Sequence, residues 1–537
     1  MGIKQVIGLS TDEKTQRIRD KAPKFEHVIW YKDPGLRVLT FYSVVLCVSS
    51  VGTGWDGMYM GVVQNFDSWN DFFDKPTGSR LGLLVALYQI GSVCSVPLVP
   101  IIADRWGRRP SIALGFVIMA IGSALQAAAP NYSVYAGGRV LLGFGNPFAQ
   151  ICSPMLLTEI SHPQHRARFT TVYNCLWNLG SLLVSWTCFG THFWGNDWSW
   201  RFPIILKGAA GLIQLVILWW IPESPRFLIA KDRQDEALAI LAKYHANGNS
   251  DHPTVQFEYV KIGEAIKMEQ TAGNSGRYID FFKTKGNRYR LAVLFSLGIF
   301  SQWSGNGIVS NYSARLYINA GLSSETDRLI ISAGKTILDM IVSIGCALLV
   351  DRLNRRFSFL LSTGGMFITL IFWTLTCGLS EQHQATGANN GMIFLIWVHG
   401  IFYSTCWTGL PISYAIEILP YTLRAKGLMF MNISVQIALI LNAYLNPLAF
   451  EAWESEDKYT GHGGNTWRLY LIYSIWVFGE VVFIYLMYVE TRGPTLEELV
   501  KVIDGENAVI TDVDVPHVGT KLQVEEAERI PIQIFTG

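Results

Sequence analysis

Asp56 and Asp339 are acidic side chains inside long apolar stretches of the sequence. Asp56 lies in VGTGWDGMYMG, and Arg139 stands in a different apolar stretch, GGRVLLGFG. A lipid-facing charge at the middle of a bilayer costs roughly 2.5–3.5 kcal/mol, so we expect Asp56 to face a cavity and to pair with Arg139. A guanidinium favours the carboxylate, whereas burial favours the protonated acid. A movement that changed their separation would therefore switch the proton affinity of Asp56. The alternative is a static ion pair.

The second acid, Asp339, follows Lys335 by one helical turn. Residues at positions i and i+4 share a helix face, so an intrahelical ion pair is the simplest interpretation of these two charges. Asp339 is also a candidate proton-binding side chain, ranked below Asp56.

The elements that position these groups follow from composition. The chain has 537 residues, of which 50% are hydrophobic and 16% are charged. Soluble proteins carry about 25% charged residues. A bilayer core about 30 Å thick requires roughly 20 apolar residues per helix. Twelve such runs occur, near residues 38–60, 81–103, 111–129, 134–156, 169–190, 203–221, 291–312, 329–350, 357–378, 391–413, 427–449 and 467–489.

These runs predict an all-α membrane protein with twelve transmembrane helices in two pseudo-symmetric six-helix bundles. Lipid cannot satisfy backbone hydrogen bonds, and the runs lack the alternation of a β-barrel. The predicted organisation is an N-terminal tail at 1–37, a first bundle at 38–221, a helical linker at 222–290, a second bundle at 291–489 and a C-terminal tail at 490–537.

The loop charges predict the orientation of the chain. Arginine and lysine are more numerous in the short loops that lie on the same side as both termini, and this bias favours cytoplasmic termini. We expect a multi-pass membrane protein, most simply of the plasma membrane. The net charge of +1 gives no reason to expect a nucleic-acid partner. The eight cysteines show neither metal-binding nor disulfide spacing, so no cofactor is expected.

Two arginine-rich strings, DRWGRRP from Asp104 and DRLNRR from Asp351, follow apolar runs in the two halves of the chain. Their equivalent placement indicates a duplicated bundle. Guanidiniums bind carboxylates bidentately, so we expect these arginines to pair with glutamates near other helix ends. The alternative is that the arginines only orient the chain in the membrane.

Six strings together resemble the sugar porters of the major facilitator superfamily, over residues 38–505. They are DRWGRR, RVLLGFG from Arg139, PESPRFL from Pro222, DRLNRR, YAIEILPYTLRAKG from Tyr414 and ETRGPTLEEL from Glu490. HPQHRARFTTVYNCLWNLGS from His162 and FSQWSGNGIVSNY from Phe300 resemble the fungal branch with lactose permeases, cellodextrin transporters and hexose carriers. The resemblance implies alternating access between two halves.

The resemblance also implies roles for the charged residues. Asp56 and Arg139 match the residues that carry proton coupling in proton-coupled sugar porters. The arginine strings match a cytoplasmic latch between the two halves. The residues assigned to this latch are Asp104, Arg105, Arg108, Arg109, Glu159, Arg166, Glu223, Arg226, Asp351, Arg352, Arg355, Arg356, Glu417, Arg424 and Glu490.

A sugar is bound by amides that contact its hydroxyls and by aromatic faces that contact its C–H surfaces. The seventh run supplies both kinds of group and resembles the family's sugar-binding string QQxxGxNxxxYY. Ser301 replaces the first Gln of that string, and Gly307 stands where its Asn is expected. The predicted substrate-binding residues are Asn174, Gln302, Trp303, Asn306, Asn311, Tyr312 and Trp407, with Tyr403 as an alternative to Trp407.

The function predicted from the sequence is proton-coupled transport of a hexose or of a disaccharide such as lactose or cellobiose, by a chain that functions as a monomer. Alternatives are a facilitative uniporter, a carrier of a non-sugar metabolite, and a non-transporting sugar sensor. No nucleotide-binding loop, metal cluster or nucleophile triad occurs in the sequence, so an enzyme is not expected.

Overall fold

The computed structural model describes residues 30–271, 278–322, 324–349, 354–383, 386–419, 423–455 and 465–491. Its elements in these ranges are α-helices. Eight helices precede the linker: α1 (Pro34–Val63), α2 (Asp67–Phe72), α3 (Gly78–Ser95), α4 (Leu98–Trp106), α5 (Arg108–Ala127), α6 (Tyr132–Ile160), α7 (Pro163–His192) and α8 (Trp198–Leu218).

The remaining helices form the linker and the second half of the chain. The linker contains α9 (Pro225–Ala230), α10 (Gln234–His245), α11 (Pro253–Thr271) and α12 (Asp280–Lys283). The second half contains α13 (Lys285–Trp303), α14 (Asn306–Asn311), α15 (Ser313–Asn319), α16 (Glu325–Leu349), α17 (Arg355–His383), α18 (Thr386–Cys406), α19 (Leu410–Ile418), α20 (Arg424–Ser455) and α21 (Trp467–Met487).

The helices coincide with the twelve predicted runs, which confirms the all-α membrane fold. In the described part of the chain, nine spans are long and apolar enough to cross a membrane. One of these nine consists of α18 together with α19. The pair α3 and α4, bent by 46° at its break, makes a tenth span. The other two runs correspond to α7, which is 30 residues long but more polar, and to the broken series α13 to α15.

Local sequence explains where the seventh run breaks. Gly305, between α13 and α14, has φ +95°, a left-handed conformation that side chains rarely adopt. A Cβ at Gly305 would also lie 3.1 Å from the imidazole of His399. The break leaves the polar residues Gln302 and Asn306 at helix ends. Backbone groups there are available to side chains from other helices.

Small residues bring the helices of the first half into close contact. A Cβ at Gly54 of α1 would lie 1.9 Å from the carbonyl oxygen of Trp177 in α7. A Cβ at Gly180 of α7 would lie 2.0 Å from the carbonyl oxygen of Val51 in α1. Glycine at both positions therefore lets the two backbones touch, as small residues do in membrane helix pairs.

Four helix pairs join the two halves: α1 with α14, α1 with α15, α3 with α20, and α7 with α16. We call the end of the bundle that carries Gln64, His192 and Glu325 the closed end, and the end that carries Arg108 and Arg355 the arginine end. The polar contacts between the halves that the described residues reveal cluster at the closed end.

The linker helices dock on the arginine end of the first half. His245 of α10 is 3.0 Å from the carbonyl oxygen of Ile160, the last residue of α6, and 2.5 Å from the carboxylate of Glu258 in α11. A carbonyl oxygen only accepts, so Nε2 of His245 donates to Ile160 and Nδ1 faces Glu258. The buried pair therefore fixes α10 and α11 to the membrane helices.

Candidate functional site

Asp56 is buried in α1 with a cationic partner that the sequence analysis did not identify. The Nζ atom of Lys207 in α8 lies 2.7 Å from Oδ2 of Asp56, and the two side chains are 9% and 5% exposed. The expected Asp56–Arg139 ion pair was therefore wrong for this conformation. Lys207 stands in the apolar run WRFPIILKGAAGLIQLVIL, and a lone intramembrane lysine was the signal that could have found it.

Arg139 lies in α6, is 2% exposed and uses other contacts. Its Nε donates to the carbonyl oxygen of Leu84 at 3.3 Å, and its guanidinium lies 5.0 Å from the ring centroid of Tyr88. Among the described residues no carboxylate forms an ion pair with it. Both Asp56 and Arg139 act electrostatically on the Tyr88 hydroxyl, so the three groups share one region of the first half. Asp56 thus contacts Lys207, while Arg139 packs against Tyr88 in the same half.

A cavity of about 200 Å³ adjoins Lys207. All of its lining residues belong to the first half, including Ser49, Ser123, Asn146 and Gln214 among mostly apolar side chains. The cavity is therefore a space inside the first bundle and does not lie between the two halves.

Lys335 and Asp339 form the predicted ion pair within α16. The Nζ atom of Lys335 donates to Oδ2 of Asp339 at 2.5 Å, and the side chains are 7% and 22% exposed. The pair packs against Gly400 of α18, where a Cβ would lie 2.9 Å from the lysine nitrogen and 3.0 Å from Asp339. Asp339 is thus partly accessible and neutralised by its own helix.

The polar residues of the seventh run meet α20. The side chain of Asn442 donates to the carbonyl oxygen of Gln302 at 2.8 Å, and Asn446 donates to Asn442. Tyr473 of α21 completes this chain of contacts by donating to Asn446 at 2.9 Å. The side chain of Gln302 is half-buried and donates to Ser301 at 3.1 Å. Within the described ranges its amide oxygen has no hydrogen-bond partner, so it can accept from a ligand hydroxyl.

The other predicted substrate residues differ in accessibility. Trp303 donates to the carbonyl oxygen of Ala438 at 2.9 Å, and Asn306 interacts with the hydroxyl of Tyr403. Asn311 is half-buried and donates back to Gly307 at 3.1 Å. Gln302, Trp303, Asn306 and Asn311 therefore share one region at the break in the seventh run.

Two aromatic candidates are enclosed. Tyr312 is fully buried and donates to the carbonyl oxygen of Ala443. Trp407 is 3% exposed, donates to Thr363 at 3.2 Å and packs 5.1 Å from the ring of Phe359. In this conformation Trp407 has no open face for a sugar, whereas Tyr403 lies beside Asn306. The side chain of Asn174 lies outside the described part of the structure.

The arginine end shows the internal duplication atom by atom. The carboxylate of Glu223 accepts from the backbone N–H groups of Arg108 and Arg109, at the N-terminus of α5. The carboxylate of Glu490 accepts in the same way from Arg355 and Arg356, at the N-terminus of α17. Helix N-termini favour anions, so each carboxylate caps one helix.

The ion pairs of the arginine end repeat as well. Arg108 pairs with Glu159 at 3.3 Å, and Arg355 pairs with Glu417 at 3.3 Å. Arg108 also lies 3.4 Å from Asp104. Each of these contacts lies within one half of the protein. The expected latch between the halves is therefore not formed by these pairs in this conformation.

The remaining latch residues are placed as follows. Arg105 is exposed, Arg109 donates to the carbonyl oxygen of Trp219, and Arg356 donates to the carbonyl oxygen of Tyr485. Arg166 lies 4.0 Å from Glu258 of the linker, and Arg226 lies in α9. Asp351, Arg352 and the side chain of Arg424 lie outside the described residues.

The closed end carries polar contacts between the halves that sequence reasoning missed. His192 of α7 lies 2.6 Å from the carboxylate of Glu325 and 2.8 Å from the hydroxyl of Thr326, both in α16. Gln64 donates to the carbonyl oxygen of Asn311 at 2.7 Å, and Arg328 donates to that of Asn65 at 3.1 Å. Apart from Asn311, none of these residues belongs to a string that the sequence analysis used, and only the fold brings them together.

These features define a class: a membrane carrier built from two duplicated helical halves, closed at one end, with a buried ion pair in one half and a polar break in the other. The chain belongs to the family described as "Sugar (and other) transporter", whose sequence profile matches residues 42–502. It is a transporter and not an enzyme.

Similar proteins agree with this assignment. The MFS-type transporter oryC of Aspergillus oryzae is 29% identical over 493 residues, covering 89% of this chain and 87% of that protein. The high-affinity glucose transporter of Kluyveromyces lactis is 26% identical over 497 residues, with the same two coverages. The inward-open structure of the xylose transporter XylE from E. coli has a TM-score of 0.68 and 21% identity, covering 86% of this chain and 99% of that one. This last likeness establishes the fold.

Proposed function

We propose that this protein transports a sugar across the membrane by alternating access and that sugar transport is coupled to proton transport. The observation that carries the coupling proposal is the buried Asp56 carboxylate, 2.7 Å from Lys207, in the same half as the buried Arg139. Arg139 is a second buried cation in that half, so Asp56 has two possible partners. A rearrangement that moves Asp56 from one to the other passes through a state in which protonation is favourable.

The proposed substrate is a neutral sugar, either a hexose or a disaccharide. The half-buried amides of Gln302, Asn306 and Asn311 suit hydroxyl groups, and Tyr403 and Trp303 supply aromatic surface. Several of the similar proteins are glucose or hexose transporters by name, including the high-affinity glucose transporter of Kluyveromyces lactis. We further propose that the protein acts as a monomer in the plasma membrane, with both termini in the cytoplasm.

A facilitative uniporter is the second candidate. The Asp56–Lys207 contact is short and its two side chains are well buried, as expected of a static pair. In that case the pair would stabilise the first half through the whole transport cycle, and sugar movement would not depend on a proton gradient.

The deciding experiment uses the full chain in proteoliposomes with radiolabelled D-glucose, lactose and cellobiose, in the presence and absence of a protonophore. Symport predicts accumulation that the protonophore abolishes, together with acidification of the vesicle interior. Asp56→Asn should lose accumulation and keep some counterflow. Uptake that ignores an imposed pH gradient would establish the uniporter, and no uptake of any of the three sugars would reject these sugars as substrates.

The substrate site is tested with Gln302→Ala. Losing one hydrogen bond to a sugar hydroxyl costs about 1 kcal/mol, so we expect the apparent KM for the transported sugar to rise about fivefold. Gln256→Ala, in the exposed part of α11, is the matched control and should leave KM unchanged. An unchanged KM in Gln302→Ala would place the sugar elsewhere.

A further inference from the structure

A third buried acid, Glu480, lies in α21 and has no role in the mechanism proposed above. It stands 13 residues after the start of α21, Trp467, and 7 residues before its end, Met487, inside the span. Glu480 is 1% exposed, so neither water nor lipid headgroups reach its carboxyl group.

The contacts of Glu480 are those of a neutral acid. Oε1 accepts from the indole N–H of Trp476 at 2.6 Å. Oε2 is buried, and the described residues provide it with neither a hydrogen-bond partner nor an ion pair. A buried carboxylate without a cation is so unfavourable that the group takes up a proton instead. Glu480 differs in this from Asp56 and Asp339, which each have a lysine within 2.7 Å.

The titratable groups that the described part of the chain places around Glu480 are neutral phenols. Tyr403 of α18, Tyr473 of α21 and Tyr488 just beyond α21 are the side chains on which its charge acts. None of them supplies the positive charge that an ionised Glu480 would need. Loss of the proton would therefore require Glu480 or its neighbours to move.

Trp476 connects Glu480 to the polar break in the seventh run. Its ring lies 5.5 Å from that of Trp303 and 6.3 Å from that of Phe300, both near the C-terminal end of α13. Gln302 stands between these two residues in sequence. A rotation of the Trp476 indole would consequently displace the end of α13 on which Gln302 lies.

We propose that Glu480 is a second proton-binding site, held as the neutral acid in this conformation, and that it positions the end of α13 through Trp476. The first clause stands on Glu480 alone. The second rests on the proposed function, because it assumes that Gln302 contacts the sugar. Glu480 is a positioning residue in this scheme, because it acts on the ligand through Trp476.

The first experiment needs no sugar. Infrared spectra of the full chain in nanodiscs should show the carbonyl band of a protonated carboxyl group, shifted in D₂O, at neutral pH. Glu480→Gln should remove this band. Asp56→Asn should keep the band, because the carboxylate that this substitution removes is paired with a cation and does not contribute to the band. A band that persists undiminished in Glu480→Gln would overturn the assignment.

The second experiment measures D-glucose counterflow in the Asp56→Asn background, where coupling through Asp56 is absent. Deprotonation of Glu480 should weaken sugar binding, so the KM of the Asp56→Asn variant should rise with pH. The KM of the double variant Asp56→Asn with Glu480→Gln should not depend on pH. Glu480→Ala, which cannot accept from Trp476, should raise KM about fivefold to tenfold, and Glu480→Gln should rescue it. Identical pH profiles with and without Glu480→Gln would overturn the positioning role.

The two proposals fail in different ways. If wild-type protein does not carry D-glucose, the proposed substrate class is wrong, and the infrared experiment still decides whether Glu480 holds a proton. If D-glucose is carried and the infrared band is independent of Glu480, transport stands and the second proton site falls.

Discussion

At the residue scale, the decisive feature is that each intramembrane charge has a defined environment. Asp56 is neutralised from another helix by Lys207, whereas Asp339 is neutralised by Lys335 of its own helix. A pair between helices is broken when the helices separate, and a pair within one helix is not. Asp56 is therefore better placed than Asp339 to respond to movement.

Lys207→Met tests this difference. It leaves Asp56 buried without its lysine, so the variant should be destabilised by about 3–5 kcal/mol, while the double variant Asp56→Asn with Lys207→Met should recover much of this loss. Thermal unfolding in detergent measures both. Lys231→Met, at an exposed position after α9, is the control and should behave as wild type. Additive losses in the double variant would show that the two residues do not interact.

At the scale of elements, the first half depends on backbone contact between α1 and α7. A Cβ at Gly54 would lie 1.9 Å from a backbone oxygen, which cannot rotate away as a side chain can. The two helices must separate to admit even one methyl group. Because α1 also carries Asp56, such a separation would disturb the candidate proton site as well.

Gly54→Ala should destabilise the protein by about 1–3 kcal/mol through overpacking. Gly52→Ala is a matched control two residues away on the same helix, where a Cβ meets nothing within 4 Å. Alanine at position 52 should be neutral or stabilising by about 0.5–1 kcal/mol, since glycine is unfavourable inside helices. Midpoints of thermal unfolding compare the two, and equal losses would contradict the close contact at Gly54.

The docking of the linker should depend on pH. Burial, followed by the neighbouring His245, lowers the pKa of His162 to about 4 from the ordinary value of 6.5. The undocked histidine binds a proton near pH 6.5 and the docked one does not, so stability is complete above pH 6.5 and declines as pH falls towards 4. At pH 5.5 the loss is about 1.4 kcal/mol.

Hydrogen exchange of α10 measures this docking directly. Exchange in wild type should accelerate as pH falls from 7 to 5.5, after correction for the intrinsic pH dependence of exchange. His162→Asn, which keeps a side chain able to cap α7, should show a smaller change. An equal acceleration in both proteins would assign the effect to the nearby pair of His245 and Glu258.

At the scale of the whole molecule, the two halves are joined by polar contacts at the closed end, whereas the described arginine pairs stay within their own halves. Breaking contacts at one end and forming them at the other is what alternating access requires. The closed-end contacts of His192 with Glu325 and Thr326 therefore contribute to the free-energy difference between the two conformations.

Glu325→Gln should weaken the closed end. A hydrogen bond to a charged group contributes about 1.5–3 kcal/mol, so the ratio of open to closed populations at this end should rise by at least about tenfold. The distance between spin labels at the exposed positions 75 and 327, measured by electron–electron resonance, reports the separation of the two halves. Asp74→Asn, exposed at the same end, is the control. A distance distribution unchanged in Glu325→Gln would show that this contact does not hold the end closed.

The sequence by itself determined the all-helical membrane fold, because apolar runs of spanning length admit no other structure in lipid. The sequence also revealed the repeated arginine strings at the helix ends, because short motifs of this kind are visible in the local sequence alone. Only the tertiary structure decided that Lys207 rather than Arg139 neutralises Asp56, that no cation among the described residues pairs with Glu480, and that His192 meets Glu325. Each of these facts depends on how helices distant in sequence are rotated and packed against one another, and no local pattern records that.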